Sequence, residues 1–259
     1  MRDILGERDD AIPDRPTRVA EPSRESQLPK RFYETAGVVE EKGVYAVVLD
    51  GRSVRTPGKA RLVFQSGIVA QAVSDEWAAQ SARIDPMTMP LTRLANTAVD
   101  GVATDPQAVK EDLIRYAGTD LLCYRADSPD ALVQRQRERW DPVLDWAQTA
   151  LSVRLILAEG VMHVAQPTES IAAFGFHVNA VEDAMELAAL HVMTSLTGSA
   201  VLAMAVYKGE LSGDAAWALA HLDEDWNIEQ WGTDEEAEAR RANRHKDMMA
   251  ASLVVSAGE

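Results

Sequence analysis

The stretch Gly51-Arg-Ser-Val-Arg-Thr-Pro-Gly58-Lys59 has the composition of a phosphate-binding loop. A Walker A loop needs four residues between its glycines and a Ser or Thr after the lysine to hold magnesium. Here six residues separate the glycines and Ala60 follows Lys59, so the stretch reads as a basic β-turn. The five histidines (His163, His177, His191, His221 and His245) are scattered, without the HExxH spacing that sets two zinc ligands on one helical face. His221-Leu-Asp223-Glu224-Asp225 lacks the glycine and distal glutamate of a calcium loop and reads as a solvated helix face. Cys123, the single cysteine, lies among apolar neighbours, a core thiol rather than a nucleophile, and no GxSxG elbow is present. No pattern calls for a metal, nucleotide or other cofactor, and the chain does not read as an enzyme.

One local feature is positive. Eight acids and no basic residue lie between Asp223 and Ala239, interleaved with Trp226 and Trp231. Tryptophan is enriched at interface hot spots, and clustered negative charge steers a basic partner. The competing reading is that both tryptophans face the core and the acids favour helix N-termini.

These residues need a scaffold, and its class is legible. In Arg31–Ser66, Val44–Leu49 has the alternation of a strand. Asp50-Gly51 offers the positive φ of a tight hairpin, Ser53–Thr56 is the return strand, and Arg61–Gln65 is a further short strand. From Gly67 the period becomes helical: Val69, Ala72, Val73, Glu76, Trp77 and Gln80 share one face, with Trp77 expected in the core. Leu91, Leu94, Ala95, Ala98 and Val99 form a second stripe. Asp105-Pro106 starts a helix running to about Tyr116, and Ser128-Pro129 another through Trp140 and Trp146. Leu121–Tyr124 is expected as a strand added to the N-terminal sheet, with Arg154–Leu157 and Val161–Val164 as further short strands. After Pro167 everything reads as helix. Ser212 caps one helix spanning Trp217 to Trp226, and a Thr233/Glu236 capping box opens the last. The fold class is α+β: residues 1–28 a disordered lead-in, 29–126 a small β-rich domain with helices, and 127–259 a larger mainly α-helical domain. There is no αβα alternation of a doubly wound nucleotide fold and no internal repeat.

Bulk properties narrow the function. The 259 residues carry a formal charge of −15, which repels phosphate backbones and argues against nucleic acid. A lone cysteine suits a reducing compartment, and the acid-rich start resembles neither a signal nor a transit peptide. Leu187–Val206 is twenty uncharged residues, just long enough to span a bilayer. Its small polar residues and the Thr197-Gly198 break favour two buried helices instead.

The ordered blocks RFY (31–33), LDGRSVRTPGK (49–59), EWAAQ (76–80), DPMTMPLTRLANTAVD (85–100) and RYAGTDLLCYR (115–125) resemble one family. WDPVLDW (140–146), GVMHVAQP (160–167), LTGS (196–199) and DEDWNIEQWG (223–232) continue the resemblance. That family is the alpha-subunit assembly chaperones of the ATP synthase catalytic head, found in mitochondria and related bacteria. The resemblance implies a β-rich N-terminal domain, a helical C-terminal domain and no nucleotide hydrolysis. It also implies a chain, monomeric when free, that holds free alpha subunit until beta subunit replaces it. The lead-in departs from mitochondrial targeting sequences and points to a bacterial cytoplasmic protein. Partner-contact candidates are Glu224, Trp226, Glu229, Trp231, Glu235 and Glu236, with Arg52, Arg55, Arg93 and Asn96 secondary. Arg93 equally suits pairing with a buried carboxylate. The alternative function class is an enzyme or small-molecule binder, its cleft lined by the 51–59 turn and the 92–97 block.

Overall fold

Alternating apolar residues make Val44–Leu49 (β2) the strand around which a small sheet assembles. In the computed structural model, which describes residues 28–159 and 164–257, Ala36–Glu41 (β1) pairs antiparallel with β2, Ala36 opposite Leu49 and Glu41 opposite Val44. Asp50 (φ 47°) and Gly51 (φ 76°) then form the expected tight turn into Arg52–Ser53 (β3). Val63–Phe64 (β4) pairs with the start of β2, Tyr45 opposite Phe64. The lead-in, apart from Leu28, lies outside the described residues.

The inner sheet face (Val38, Val47, Leu49, Phe64) packs on Gly67–Ala78 (α1), which buries Val69, Ala70 and Val73. Trp77 is only half-buried: its ring meets the edge of Tyr33 at 5.7 Å, and the Tyr33 hydroxyl donates to the Trp77 carbonyl at 2.7 Å. Pro90–Thr97 (α2) buries Leu91, Leu94 and Ala95 and runs into a π-helical turn at Ala98–Val102. Pro106–Ala117 (α3) starts where the sequence places it, the Asp105 carboxylate accepting from the Ala108 amide at 3.1 Å.

The next segments depart from expectation. Leu121–Cys123 is a single 3₁₀ turn, and Tyr124–Arg125 (β5) pairs in parallel with Ala158–Glu159 (β6), not with the N-terminal sheet. The cause is Asp120, whose carboxylate accepts from the Leu122 amide at 3.0 Å and winds the turn, while the Leu121 amide donates to the Gly198 carbonyl. Asp130–Leu151 (α4) is a long helix, with Pro129 as its cap residue rather than its first helical position. Arg154–Leu157 is not a strand. Ser170 bonds both backbone groups of Arg154, and Gln166 bonds both of Ile156, so side chains take the place of a ladder. Residues 161–163 of the Val161–Val164 candidate lie outside the described residues, and Val164 is irregular.

The remainder is helical: Thr168–Asn179 (α5), Ala184–Thr197 (α6), Ala200–Tyr207 (α7), Gly213–Ala220 (α8), Leu222–Trp231 (α9) and Glu235–Ser256 (α10). The uncharged stretch is α6 and α7, joined at Gly198 in the left-handed region and packed against each other, with α10 on α6. Every residue from Ala200 to Val206 is buried, which explains the absence of charge there. Among the described residues no helix is long and apolar enough to cross a membrane. Ser212 caps α8 as expected, but the helix breaks at His221, whose Nδ1 donates to the Trp217 carbonyl at 2.8 Å. The last helix is capped by Asp234, not Thr233: its carboxylate accepts from the Ala237 amide at 2.8 Å. A charged carboxylate adjacent to the first turn favours the helix dipole more than a hydroxyl one residue earlier. A small N-terminal sheet followed by a mainly helical part is the α+β class expected, and buried side chains run continuously from Tyr33 to Val255.

Candidate partner-binding face

Helix α9 lies against α4, and that contact uses several of the acids that the sequence clusters. Arg135 of α4 binds Glu229 through both guanidinium nitrogens, at 2.8 and 2.9 Å, and its guanidinium carbon sits 4.7 Å from the Trp226 ring centre. The ion pair holds the Glu229 carboxyl below its ordinary range and raises Arg135. Gln136 donates to Asp223 at 2.8 Å, and Arg241 of α10 pairs with Asp225. Glu224 is exposed, 3.9 Å from the buried His221, whose imidazole is held neutral mainly by desolvation. Asp223, Asp225, Glu229 and the α10 cap Asp234, four of the eight acids, are therefore engaged within the fold, as is Trp226.

Further outward-facing groups lie at and just past the end of α9. Trp231 is 86% exposed, the largest apolar side chain so presented among the described residues. Glu235 and Glu236 follow in the first turn of α10, both exposed, with Glu236 2.5 Å from Arg240 one turn on. Trp231 thus lies beside two exposed carboxylates, of which Glu236 is paired with Arg240 and Glu235 has no such ion pair among the described residues.

The secondary candidates fall elsewhere and apart. Arg52 and Arg55 border an open pocket of about 460 Å³ with Phe32 and Trp77, and Arg55 donates to the Lys59 carbonyl at 2.7 Å. Phe32 is 73% exposed there. Arg93 instead reaches α10, 2.5 Å from Asp247, and Asn96 is half-buried on α2. Residues of the 51–59 turn line one pocket, and Arg93, Leu94 and Thr97 of the 92–97 block line a different one.

Several of the blocks that carry the family resemblance have another role that residue chemistry alone did not single out: they pin elements together. Asp100 accepts from the Thr56 hydroxyl at 2.6 Å and the Gly58 amide at 2.7 Å, tying the 49–59 block to the end of α2. A Cβ on Gly58 would lie 2.6 Å from that carboxylate, so a larger residue there would have to push Asp100 out of its hydrogen bonds. Glu76 of α1 accepts from the Leu91 and Thr92 amides, at 2.7 and 2.8 Å, and the Thr92 hydroxyl at 2.7 Å, capping α2 from another helix. Its burial raises its pKa. Asp120, fully buried, accepts from Leu122, Ser199 and Val201, and burial lifts its pKa to about 6. The signal was present as polar residues on otherwise apolar stripes, Glu76 above all.

Comparison with known proteins agrees with this architecture. The family described as ATP12 chaperone protein matches residues 30–148. The crystal structure of Atp12 from Paracoccus denitrificans is 41% identical, covers 89% of this chain and 99% of its own, and superposes with a TM-score of 0.81. The chain belongs to the ATP12 chaperone family. A crystal structure from Agrobacterium tumefaciens is 54% identical, covering 90% of this chain and 87% of its own at a TM-score of 0.85. The mitochondrial atp12 protein of Schizosaccharomyces pombe is 24% identical over 239 residues, 88% of this chain and 82% of its own. As an ATP12 protein the chain is an assembly chaperone for ATP synthase and not an enzyme. The pinned blocks then hold the frame on which the α9–α10 face is displayed.

Proposed function

We propose that this chaperone captures the free alpha subunit of the ATP synthase catalytic head and shields the surface that beta subunit later covers. Trp231 carries the reading: a nearly fully exposed tryptophan at the end of α9, next to Glu235 and Glu236. An unassembled subunit exposes a large apolar interface, an aggregation hazard that a partner must cover and later release. Trp231 supplies the anchor, while Glu224, Glu235 and Glu236 steer a basic or polar client surface. Trp226 and Glu229, held by Arg135, shape the face from behind, and Arg52 with Arg55 beside Phe32 forms a second contact patch. Arg93 and Asn96 act at the α2–α10 joint that supports α10. Release needs no nucleotide hydrolysis if the contact is weaker than the final one with beta subunit. The chaperone works in the compartment where the catalytic head assembles, the cytoplasm in a bacterium.

The test is aggregation of purified alpha subunit at low salt with each variant present. The double change Glu235→Lys and Glu236→Lys is expected to slow association, with added salt narrowing the gap to wild type. Trp231→Ala is expected to lose protection with an unchanged melting point. Folded variants that protect as well as wild type would place the docking surface elsewhere.

A further inference from the structure

A groove of about 400 Å³ separates β4 from the first turn of α6. Five consecutive residues, Leu62 to Ser66, form one wall. Strand β4 pairs with β2 on one side only, so among the described residues its other backbone edge has no ladder partner. The floor is apolar, built by Val69, Ala95, Ala98 and Val254. The far wall carries Asp183 and Glu186. One oxygen of Asp183 accepts from the Met185 and Glu186 amides, and one oxygen of Glu186 from the Tyr207 hydroxyl at 3.0 Å. The second oxygen of each carboxylate has no hydrogen bond among the described residues.

An extended peptide laid along an open strand edge gains main-chain hydrogen bonds and sends alternate side chains to one face. Here the apolar floor receives alternate side chains, and the two carboxylates select the charge of the neighbours. We propose that this groove is a peptide-docking site taking an extended segment in which apolar residues alternate with Lys or Arg, added as a strand to β4. Acidic segments are repelled by Asp183 and Glu186. That the segment belongs to unassembled alpha subunit rests on the function proposed above.

The probe is a labelled octapeptide of alternating Val and Lys, with a Val–Glu octapeptide as its control, read by fluorescence anisotropy. Ala103→Trp places bulk at the groove's exposed rim without changing the protein's charge, so it separates groove binding from general attraction to an acidic surface. It is expected to weaken the Val–Lys peptide about tenfold or more. Glu186→Gln, which keeps an acceptor for Tyr207, is expected to weaken it a few-fold and reduce the salt dependence. The Val–Glu peptide is expected not to bind. If Ala103→Trp melts early, N-methylating alternate peptide residues removes the ladder donors without touching the protein, with a similar loss expected. Equal affinity for wild type and Ala103→Trp, or for methylated and plain peptide, overturns the groove. A wild-type protein that binds the peptide but does not protect alpha subunit supports the groove and overturns the client assignment. Protection of alpha subunit alongside unchanged peptide affinity in Ala103→Trp does the reverse.

Discussion

Asp120 is the most deeply buried charge-bearing group described, and it holds two chain segments together, so replacing it with asparagine is informative. The carboxylate accepts from the Leu122 amide (3.0 Å) and Ser199 hydroxyl (2.7 Å) on one oxygen and the Val201 amide (2.9 Å) on the other. Asparagine retains one acceptor oxygen, but its NH₂ then faces the Val201 N–H, leaving a buried donor without a partner. That costs about 1–3 kcal/mol. Burial raises the Asp120 pKa from 3.8 to about 6, so between those values the folded state binds more protons than the unfolded chain. Stability from this group is therefore full at low pH and falls as pH rises towards 6. At about 1.4 kcal/mol per pH unit, wild type loses on the order of 1 kcal/mol between about pH 5 and pH 8 through Asp120, and asparagine loses none. The destabilisation caused by Asp120→Asn is expected to shrink by that amount over this range, because other carboxylates cancel in the difference. Urea unfolding of both proteins at the two pH values measures it. A penalty that instead grows with pH would mean that the hydrogen bonds outweigh desolvation, and would refute the reasoning.

Three further outcomes are expected. Trp77→Arg loses the edge contact with Tyr33 and puts a cation against the α1–sheet interface, costing about 2–4 kcal/mol, below a fully buried tryptophan because the new side chain can reach water; thermal melting checks it. Cys123, buried and with its thiol pushed up to about 12 chiefly by desolvation, is expected to resist alkylation until the protein unfolds, read by mass spectrometry across a urea series. Pure protein is expected to show no magnesium-dependent ATP hydrolysis, and activity abolished by Lys59→Ala would contradict this.

The fold class and most element starts were legible because they depend on local chemistry: the Asp50-Gly51 turn, the Asp105-Pro106 start and the Ser212 cap act over a few residues. The misplacements arise where a distant side chain decides. Asp120 winds Leu121–Cys123 and ties it to Ser199, and Gln166 and Ser170 take the backbone groups that would have made Arg154–Leu157 a strand. Trp77 shared an apolar stripe with Val69 and Val73, yet lies where α1 reaches the sheet's margin, half open to solvent. At the acidic cluster the sequence shows the charges but not Arg135 and Arg241, which approach from helices α4 and α10. The groove beside β4 left no sequence signature, since its walls come from segments about 120 residues apart in the chain.

The internal pairing at α9 bears on how such a chaperone can let go. If all eight acids were free, they would act as one strong field on a basic client, and release would depend heavily on salt. Arg135, Arg241 and Gln136 instead engage Glu229, Asp225 and Asp223, leaving the outward charge mainly at Glu224 and the start of α10. Exposed charges of that kind favour encounter more than residence, and each contributes modestly to a formed contact. On the function proposed above, residence depends on a small apolar anchor such as Trp231 and on any backbone pairing along β4. Neither needs to match the area of a permanent subunit interface. A partner offering a larger, better-packed surface displaces such a holder by mass action, without hydrolysis and without a conformational switch in the pinned frame beneath.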